Sequence, residues 1–413
     1  MKLIIHDYCG HPFPVQLSRE LARRGHDVLS LSCPSFVTPK GAVALTPDDP
    51  PSLQIEGLSL EREFNKYQAF SRLSQEREYG AVVSKRTLAF NPDVVISANT
   101  PLLAQRALQR ACRHNDIPFI FWLQDVLGVG IRNVLVRRHK LLAPLGDAFV
   151  RLERRLLRNS SSVVAISDDF RDVMKEAGVS NDSVTVIENW AALDEVPVRA
   201  RQNGWRSEHG LGDRTVLLYA GTLGLKHDPQ LLVRLAIRLR DRSDVRVVVA
   251  SEGPGADWLR DQIVEHSLDN LSILGFQPYG RLPEMLGAAD VLLVLLEPDA
   301  SIFSVPSKVL TNLCAGRPIL ASVPLENLAA RVLEQSGGGL VADPREAESF
   351  VSKATRLVED ETLRRRLGHQ ARAYAERTFD IESIATRFER LFEEHAGRPD
   401  VAHIKAADEL SSI

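Results

Sequence analysis

Residues Pro306–Val323 read PSKVLTNLCAGRPILASV, and their surroundings decide the fold. Upstream, the apolar run AADVLLVLL ends at Leu296 and the polar link EPDASIFS follows it. An apolar run of that length reads as a buried strand of a parallel sheet. Ser304 is placed to cap the next helix, and Pro306 fits its first turn. Cys314-Ala315-Gly316 closes that helix, with Gly316 as the expected left-handed stop, and Pro318–Ala321 opens another strand. Strand, polar loop and helix start thus follow one another. The free N–H groups of Val305 to Ser307 point at whatever the loop holds, a geometry that suits a phosphate. An ordinary structural strand–loop–helix unit has the same pattern, so the neighbouring segments must decide.

They repeat it. From Tyr219 runs YAGTLGLKHDPQLLVRLAIRL: the strand VLLYAG, a turn with Gly221 and Gly224, then Lys226, then a helix. Glycines let backbone approach a ligand closely, and a lysine near a helix start can pair with phosphate. VRVVVASEGPGADWLRDQI is again strand, turn (Gly253, Gly255) and helix, and NLSILGFQPYGRLPEMLGAADVLLVLL leads back to the opening segment. Consecutive βα units present their turns on one edge of one sheet, the edge at which open α/β sheets bind nucleotides.

The order AGTLGLK, ASEGPG, LGFQPYGRLPEMLGAADVLLVLL, VPSKVLTNLCAGRPILA and GGGLVADP resembles the donor-binding domain of glycosyltransferase family 4. LSRELARRGHDVLSLS, NPDVVISANTP, IPFIFWLQDV and VVAISDDFRDVMKEAGVSNDSVTVIENW are similar to its N-terminal half, so the resemblance covers most of the chain. It is nearest to bacterial enzymes that build exopolysaccharide, O-antigen or capsule units. The resemblance implies an α/β protein of the GT-B fold, two Rossmann-like lobes facing across a cleft, with a C-terminal helix crossing back to the N-terminal lobe. It also implies a retaining, metal-independent transfer from a UDP- or GDP-sugar, with no cofactor beyond that substrate.

Bulk properties agree. A chain of 413 residues suits two domains of ordinary size. A net charge of −3 gives no global signal for nucleic acid. Cys9, Cys33, Cys112 and Cys314 lie far apart, without a CxxC or a histidine cluster, so reduced thiols of a cytoplasmic protein are expected and no metal. MKLIIHDYCG reads as a strand and turn rather than a signal peptide, and no apolar run approaches the ~20 residues of a membrane span.

Along the chain, LIIHDY, HDVLSLSC, VVISAN, PFIFWLQD, VVAISDDF and VTVIENW read as strands, with helices VQLSRELARRG, stopped at Gly25, and TPLLAQRALQRACRHN. Ser167 is expected to cap a helix from Asp168. Residues 40–75 look irregular and polar. The expected division is an acceptor-binding lobe over 1–190, an aperiodic linker over 191–213 and a donor-binding lobe over 214–379. A return helix over about 380–397 and a disordered tail over 398–413 complete it. Ile381, Ile384, Phe388, Leu391 and Phe392 have helical spacing, so one face of that last helix must be buried. Packing on its own lobe fits the spacing equally well.

Sugar transfer from a nucleoside diphosphate requires neutralising the leaving diphosphate, holding ribose and base, and bringing the acceptor hydroxyl to the anomeric carbon. Lys226 sits where the family places a basic residue after its Gly-rich turn, at a helix start where a cation is otherwise poorly placed. The family often has an arginine directly after the glycine corresponding to Gly221; here Thr222 stands there. Lys308 is a second cation in a helix's first turn, with Ser304, Val305 and Ser307 beside it. The family's ribose-binding glutamate falls at Thr311, and the glutamate eight positions earlier at Phe303, so the two-glutamate pattern is missing. Asn312, Thr311 or Glu297 could supply some of its hydrogen bonds. Glu252 could hold a sugar hydroxyl or serve only its loop, beside Gly253. Gly275-Phe276 resembles the stretch that reads the base, although Phe276 reads more simply as core.

On the acceptor side, Gly10 would let substrates approach the backbone, with His11 as a catalytic candidate beside it. Gln124-Asp125 follows FIFWL and resembles a position near the family's acceptor hydroxyl; Asp125 is the main catalytic candidate, a simple cap the alternative. Finally, IRNVLVRRHKLLAPLGDAFVRLERRLLR, residues 131–158, interleaves eight basic residues with apolar ones against only Asp147 and Glu153. Basic heads over an apolar stripe suit an anionic membrane surface, where a lipid-linked acceptor would reside and a peripheral enzyme would meet it. A solvated basic helix is the plain alternative. Two other functions remain open: a catalytically silent subunit of the same fold, which Thr222 and Thr311 favour, and a nucleotide-sugar 2-epimerase.

Overall fold

The computed structural model describes residues 1–35, 43–60, 69–223, 227–297 and 307–396. The runs LIIHD, VVISA, FIFWL and VLLVL are buried on both faces, as strands of parallel sheets covered by helices must be. They belong to two sheets in two units, one formed by Met1–Asn189 with the chain from Ile381, the other by Trp190–Asp380.

The first unit runs β1 (Lys2–Asp7), α1 (Pro12–Arg23), β2 (Asp27–Ser32), β3 (Leu53–Gly57), α2 (Ala69–Phe90), β4 (Val94–Ala98) and α3 (Leu102–His114). It continues with β5 (Phe119–Leu123), α4 (Leu127–Arg138), α5 (Ala143–Arg158), β6 (Ser162–Ala165), α6 (Phe170–Ala177) and β7 (Val184–Val186). Its strands are ordered β3-β2-β1-β4-β5-β6-β7, and every pairing is parallel.

The second unit runs α7 (Gly204–Glu208), β8 (Thr215–Ala220), α8 (Gln230–Arg238), β9 (Val245–Ala250), α9 (Pro254–His266), β10 (Leu271–Leu274), α10 (Leu282–Ala288) and β11 (Val291–Leu295). Then come α11 (Ser307–Cys314), β12 (Ile319–Ser322), α12 (Leu328–Ser336), β13 (Gly339–Ala342), α13 (Ala347–Glu359) and α14 (Glu361–Thr378). Its sheet is also all parallel, in the order β10-β9-β8-β11-β12-β13. Gly316 takes φ +65° just beyond α11.

Helix α15 (Ile381–His395) returns to the first unit. It buries Ile384, Phe388, Leu391 and Phe392, and Phe388 meets Trp122 of β5 with ring centres 5.0 Å apart. Glu389 fixes it from outside, accepting from Arg24 at 3.0 Å and contacting His26 at 2.7 Å.

Three local expectations change. The aperiodic stretch 191–213 is not a loose linker: it is folded into the second unit. Trp205 is fully buried and donates to Gln277 at 3.0 Å, while the buried guanidinium of Arg206 bonds the carbonyls of Gly212, Arg214 and Ala288 beside Asp290. One tryptophan and one arginine hold it where no hydrophobic period could. Within 40–75, which reads as irregular, lie β3 and the start of α2. Helix α6 begins at Phe170, two residues after its expected start, because Ser167 Oγ accepts from Asp169 N in a turn that precedes it. The tail expected to be disordered, 398–413, lies outside the described residues. Among those described, no helix is long and apolar enough to cross a membrane.

Candidate active site

In the second sheet the strand order reverses between β8 and β11, and crevices at such points lie beyond the strands' C-terminal ends. Gly221 leaves β8 there with φ +119°. Lys308, in the first turn of α11, reaches across the gap. Its Nζ donates to Tyr219 Oη at 2.7 Å and to the Thr222 carbonyl at 3.1 Å, and lies 4.4 Å from the centre of the Tyr219 ring. A Cβ at position 221 would stand 2.5 Å from Lys308 Cε, so the glycine and the lysine form one arrangement. Tyr219 Oη donates in turn to the Thr222 carbonyl at 2.7 Å. Burial raises this phenol above its ordinary range, which keeps it neutral. Burial also pushes the Lys308 ammonium down to about 8. No carboxylate bonds this ammonium among the described residues. It is a positive charge held by neutral oxygens and a ring face, short of an anion.

Other donor-side candidates share this edge. Ser307 is exposed at the start of α11, and Thr311, one turn on, donates its hydroxyl to the Ser307 carbonyl at 3.3 Å. Glu252 follows β9 and accepts from Phe276 N at 2.9 Å, tying the ends of β9 and β10 together. Gly253, at φ +94°, opens α9. A Cβ on Gly255 would meet the Leu223 carbonyl at 2.2 Å, so the turns after β8 and β9 touch. Phe276 is not core: its ring is 42 % exposed beyond β10, because the loop held by Glu252 turns it outward. Lys226, Ser304 and Val305 lie outside the described residues.

The first sheet reverses between β1 and β4, and a polar cluster sits there. Gly10 takes φ +70° and donates to the Asp7 carbonyl at 3.1 Å. Asp7 Oδ2 accepts from His11 N at 2.6 Å and pairs with His11 Nδ1 at 3.0 Å; Oδ1 accepts from Asn99 Nδ2 at 2.7 Å. Asn99 adopts φ +49° to reach it. Burial alone would lower the His11 pKa, but the charge and hydrogen bond of Asp7 outweigh it and the pKa is raised. Asp7 is likewise shifted: burial would raise it, yet His11 and Asn99 hold it below the usual carboxylate range. His11 keeps about a third of its side chain exposed (32 %), and its Nε2 has no partner among the described residues.

Beyond β5, Gln124 Oε1 accepts from Asn189 Nδ2 at 2.5 Å. Asp125 is no helix cap; α4 begins two residues later, and what caps it is Glu153, whose Oε2 accepts from Gly128 N at 2.9 Å. Asp125 is exposed, yet the protein around it desolvates the carboxyl enough to push it up to about 6. Glu153 is 2 % exposed and is pushed up to about 7, chiefly by burial, with the Asp125 charge adding and the N–H groups of Gly128 and Leu127 opposing.

Helices α4 and α5 form a tight antiparallel hairpin. A Cβ on Gly128 would approach Val150 Cα to 3.0 Å, and one on Gly146 would approach Arg132 Cα to 2.8 Å. The hairpin rises from the strand-end edge at Asp125 to a tip at 139–142. Arg132 pairs with Asp147 at 2.6 Å and Arg154 with Glu176 at 2.7 Å. Arg138 and Lys140 have no such partner among the described residues, and Val134, Leu141 and Leu145 are exposed beside them.

Residues 12–190 match the Glycosyl transferase 4-like domain and residues 202–374 the Glycosyl transferases group 1 domain. WcaI of Escherichia coli (strain K12), named as a colanic acid biosynthesis glycosyl transferase, is 26 % identical over 312 residues, covering 72 % of this chain and 73 % of its own. The alpha-D-kanosaminyltransferase of Streptomyces kanamyceticus is 24 % identical over 59 % of this chain and 62 % of its own. Among solved structures, sucrose-phosphate synthase from Thermosynechococcus elongatus superposes with a TM-score of 0.72 at 15 % identity, over 95 % of this chain and 98 % of that one. Anabaena HepE in complex with UDP-glucose gives 0.71 at 17 % identity, over 95 % and 100 %. These two share the fold. The chain belongs to the group 1, family 4-like glycosyltransferases and has their GT-B fold, with a 4-like domain in the first unit and a group 1 domain in the second.

Proposed function

We propose that this glycosyltransferase moves a sugar, with retention of anomeric configuration, from a UDP- or GDP-sugar to a growing saccharide on a polyprenyl diphosphate carrier. The product would be a cell-surface polysaccharide. The observation that carries this reading is the Lys308 ammonium lying across Gly221 at the reversal of the second sheet, bonded by no carboxylate among the described residues. A diphosphate entering there meets a cation that desolvation has left under-stabilised, so binding and charge neutralisation coincide. The N–H groups at the start of α11 and Lys226 would share the load, so that no divalent metal is required. Phe276 offers an exposed ring on which a base can stack, and Thr311 faces the same side of α11 as Lys308. HepE, of the same fold, is described with UDP-glucose, which favours a uridine donor.

On the acceptor edge, His11 would present Nε2 to a saccharide hydroxyl, with Asp7 and Asn99 holding the ring. Asp125, ionised above about pH 6, would steady the positive charge that grows on the anomeric carbon as the diphosphate leaves. The hairpin tip, with Arg137, Arg138, Lys140 and exposed Leu141, would rest on an anionic membrane beside that edge and keep the enzyme with a lipid-linked acceptor. WcaI, named for colanic acid biosynthesis, supports a polysaccharide product.

A thermal-shift screen of nucleotide sugars, followed by turnover with and without a chelator, tests the proposal, because a ligand that binds the native state raises its stability. The expected result is stabilisation by one nucleotide series and transfer that survives chelation. Binding without transfer to any acceptor would favour the silent subunit. An epimerised sugar formed without acceptor would favour the 2-epimerase.

A further inference from the structure

A cavity of about 500 Å³ opens between α3 and α5 in the first unit, lined by Arg106, Gln109, Arg110, Arg113, His114, Leu152, Arg155, Leu156 and Asn159. It is not at the strand-end edge. The last turns of α3 and α5 lead back to the starts of β5 and β6, so the cavity lies toward the opposite edge of the sheet. Along α5, Asn159 is about 25 Å from the hairpin tip at a rise of ~1.5 Å per residue. Four guanidiniums and an imidazole line the cavity, and among the described residues no carboxylate does.

Helix geometry explains part of this. Arg113 and His114 end α3 and Arg155 stands in the last turn of α5, where cations complement the helix dipole. Arg110 and Arg106 lie one and two turns earlier and gain little from it. With Arg113 they follow the spacing i, i+4, i+7, which puts all three on one face of α3. None of the four guanidiniums has an ion pair among the described residues, although arginines elsewhere on this unit pair with Glu20, Glu56, Asp147, Asp168 or Glu176. Gln109 is spoken for by the Leu156 carbonyl at 2.8 Å and Ser160 Oγ at 2.9 Å, which fixes the floor of the cavity. Leu152 and Leu156 make that floor apolar.

We propose that this cavity binds a phosphate-bearing anion with at least two negative charges, at a site separate from the donor and acceptor edges. Arginine forks match phosphate oxygens in pairs, and several around one cavity exceed what a single charge can satisfy. The volume is that of a small-molecule site. The proposal does not depend on the transfer reaction.

The test uses the full chain with the donor site saturated by UDP, at low salt. Inorganic pyrophosphate is titrated calorimetrically into the wild type and into Arg106→Gln/Arg110→Gln/Arg113→Gln; unchanged UDP affinity shows that the variant is folded. Vesicles of phosphatidylinositol 4-phosphate in phosphatidylcholine, whose headgroup carries more than two negative charges, form the second arm. Saturable pyrophosphate binding that the variant weakens at least tenfold supports a free phosphate ligand. Vesicle binding that falls tenfold in the variant, with pyrophosphate inert, supports a lipid headgroup. If the wild type binds neither, or the variant binds both as well as the wild type does, the cavity is a solvated basic face and the proposal is wrong.

Discussion

Replacing Gly221 by alanine tests the crossing at the donor edge through a single methyl group. The new Cβ would stand 2.5 Å from Lys308 Cε and 3.0 Å from Nζ. The obstruction is the free end of a flexible side chain, so the lysine swings away and the fold survives. Two costs remain. Alanine at φ +119° is strained, worth about 1–3 kcal/mol, which for a unit of this size lowers Tm by roughly 2–12 °C. The displaced ammonium also no longer meets the diphosphate. A charge-assisted hydrogen bond is worth about 1.5–3 kcal/mol, so UDP or GDP affinity should fall roughly 10- to 150-fold. Lys308→Ala removes the same ammonium without the strain. The two substitutions should therefore be non-additive in affinity: by calorimetry, Gly221→Ala/Lys308→Ala binds nucleotide no worse than Lys308→Ala alone. Additive losses, or undiminished affinity in Gly221→Ala, would refute the idea that the glycine acts by admitting the lysine.

Asp125→Asn should lower kcat roughly ten- to a hundredfold with little change in donor affinity, since the carboxylate is assigned to the transition state; the wild-type kcat/KM should fall below about pH 6, and a mutant that keeps full activity would leave Asp125 a structural role. Glu153 titrates at about 7 in the fold against ~4.3 unfolded, so its contribution is complete below ~4.3 and is lost as pH rises through 7; Tm of the wild type should fall relative to Glu153→Gln between about pH 5 and 8, and parallel profiles would contradict this. Arg137→Gln/Arg138→Gln/Lys140→Gln with Leu141→Asp should detach the protein from anionic vesicles in sedimentation while UDP affinity holds, and wild-type binding should weaken with salt as charges are screened over ~8–10 Å; a wild type that ignores such vesicles removes the membrane role of the tip.

Buried strands made the fold legible: VVISA, FIFWL and VLLVL cannot be surface elements, and Gly221 after β8, Gly253 after β9 and Gly316 at the end of α11 take positive φ where the chain must turn. What lacked a period was lost. The packed stretch 191–213 depends on Trp205 and Arg206 finding Gln277 and Asp290, partners some 70 to 90 residues away that no local pattern reveals. Lys308 and Gly221 could each be suspected from the sequence, but not that they touch. Asp7, Asn99, Tyr219 and Glu153 went unnoticed for related reasons. Asp7 and Tyr219 sit inside strand runs and read as strand, Asn99 follows one as a turn residue, and Glu153 looks like one more surface charge on a basic helix until its helix is docked. Their signal is weak: a carboxylate closing an apolar strand four residues before a histidine, for Asp7 and His11. Phe276 misleads in the other direction, since an aromatic between a strand and a proline looks like core.

The central claim is that the Lys308 ammonium receives the donor's diphosphate, and its own titration reports on that most directly. With ¹³C-labelled lysine, the ε-carbon shift of Lys308, assigned by its loss in Lys308→Arg, is followed against pH with and without saturating UDP or GDP. The account predicts a pKa near 8 in the free protein, where burial disfavours the ammonium, and a clear rise toward the ordinary lysine range once a diphosphate lies beside it. A pKa that stays near 8 while nucleotide is bound would contradict it, because the charge would then be somewhere else.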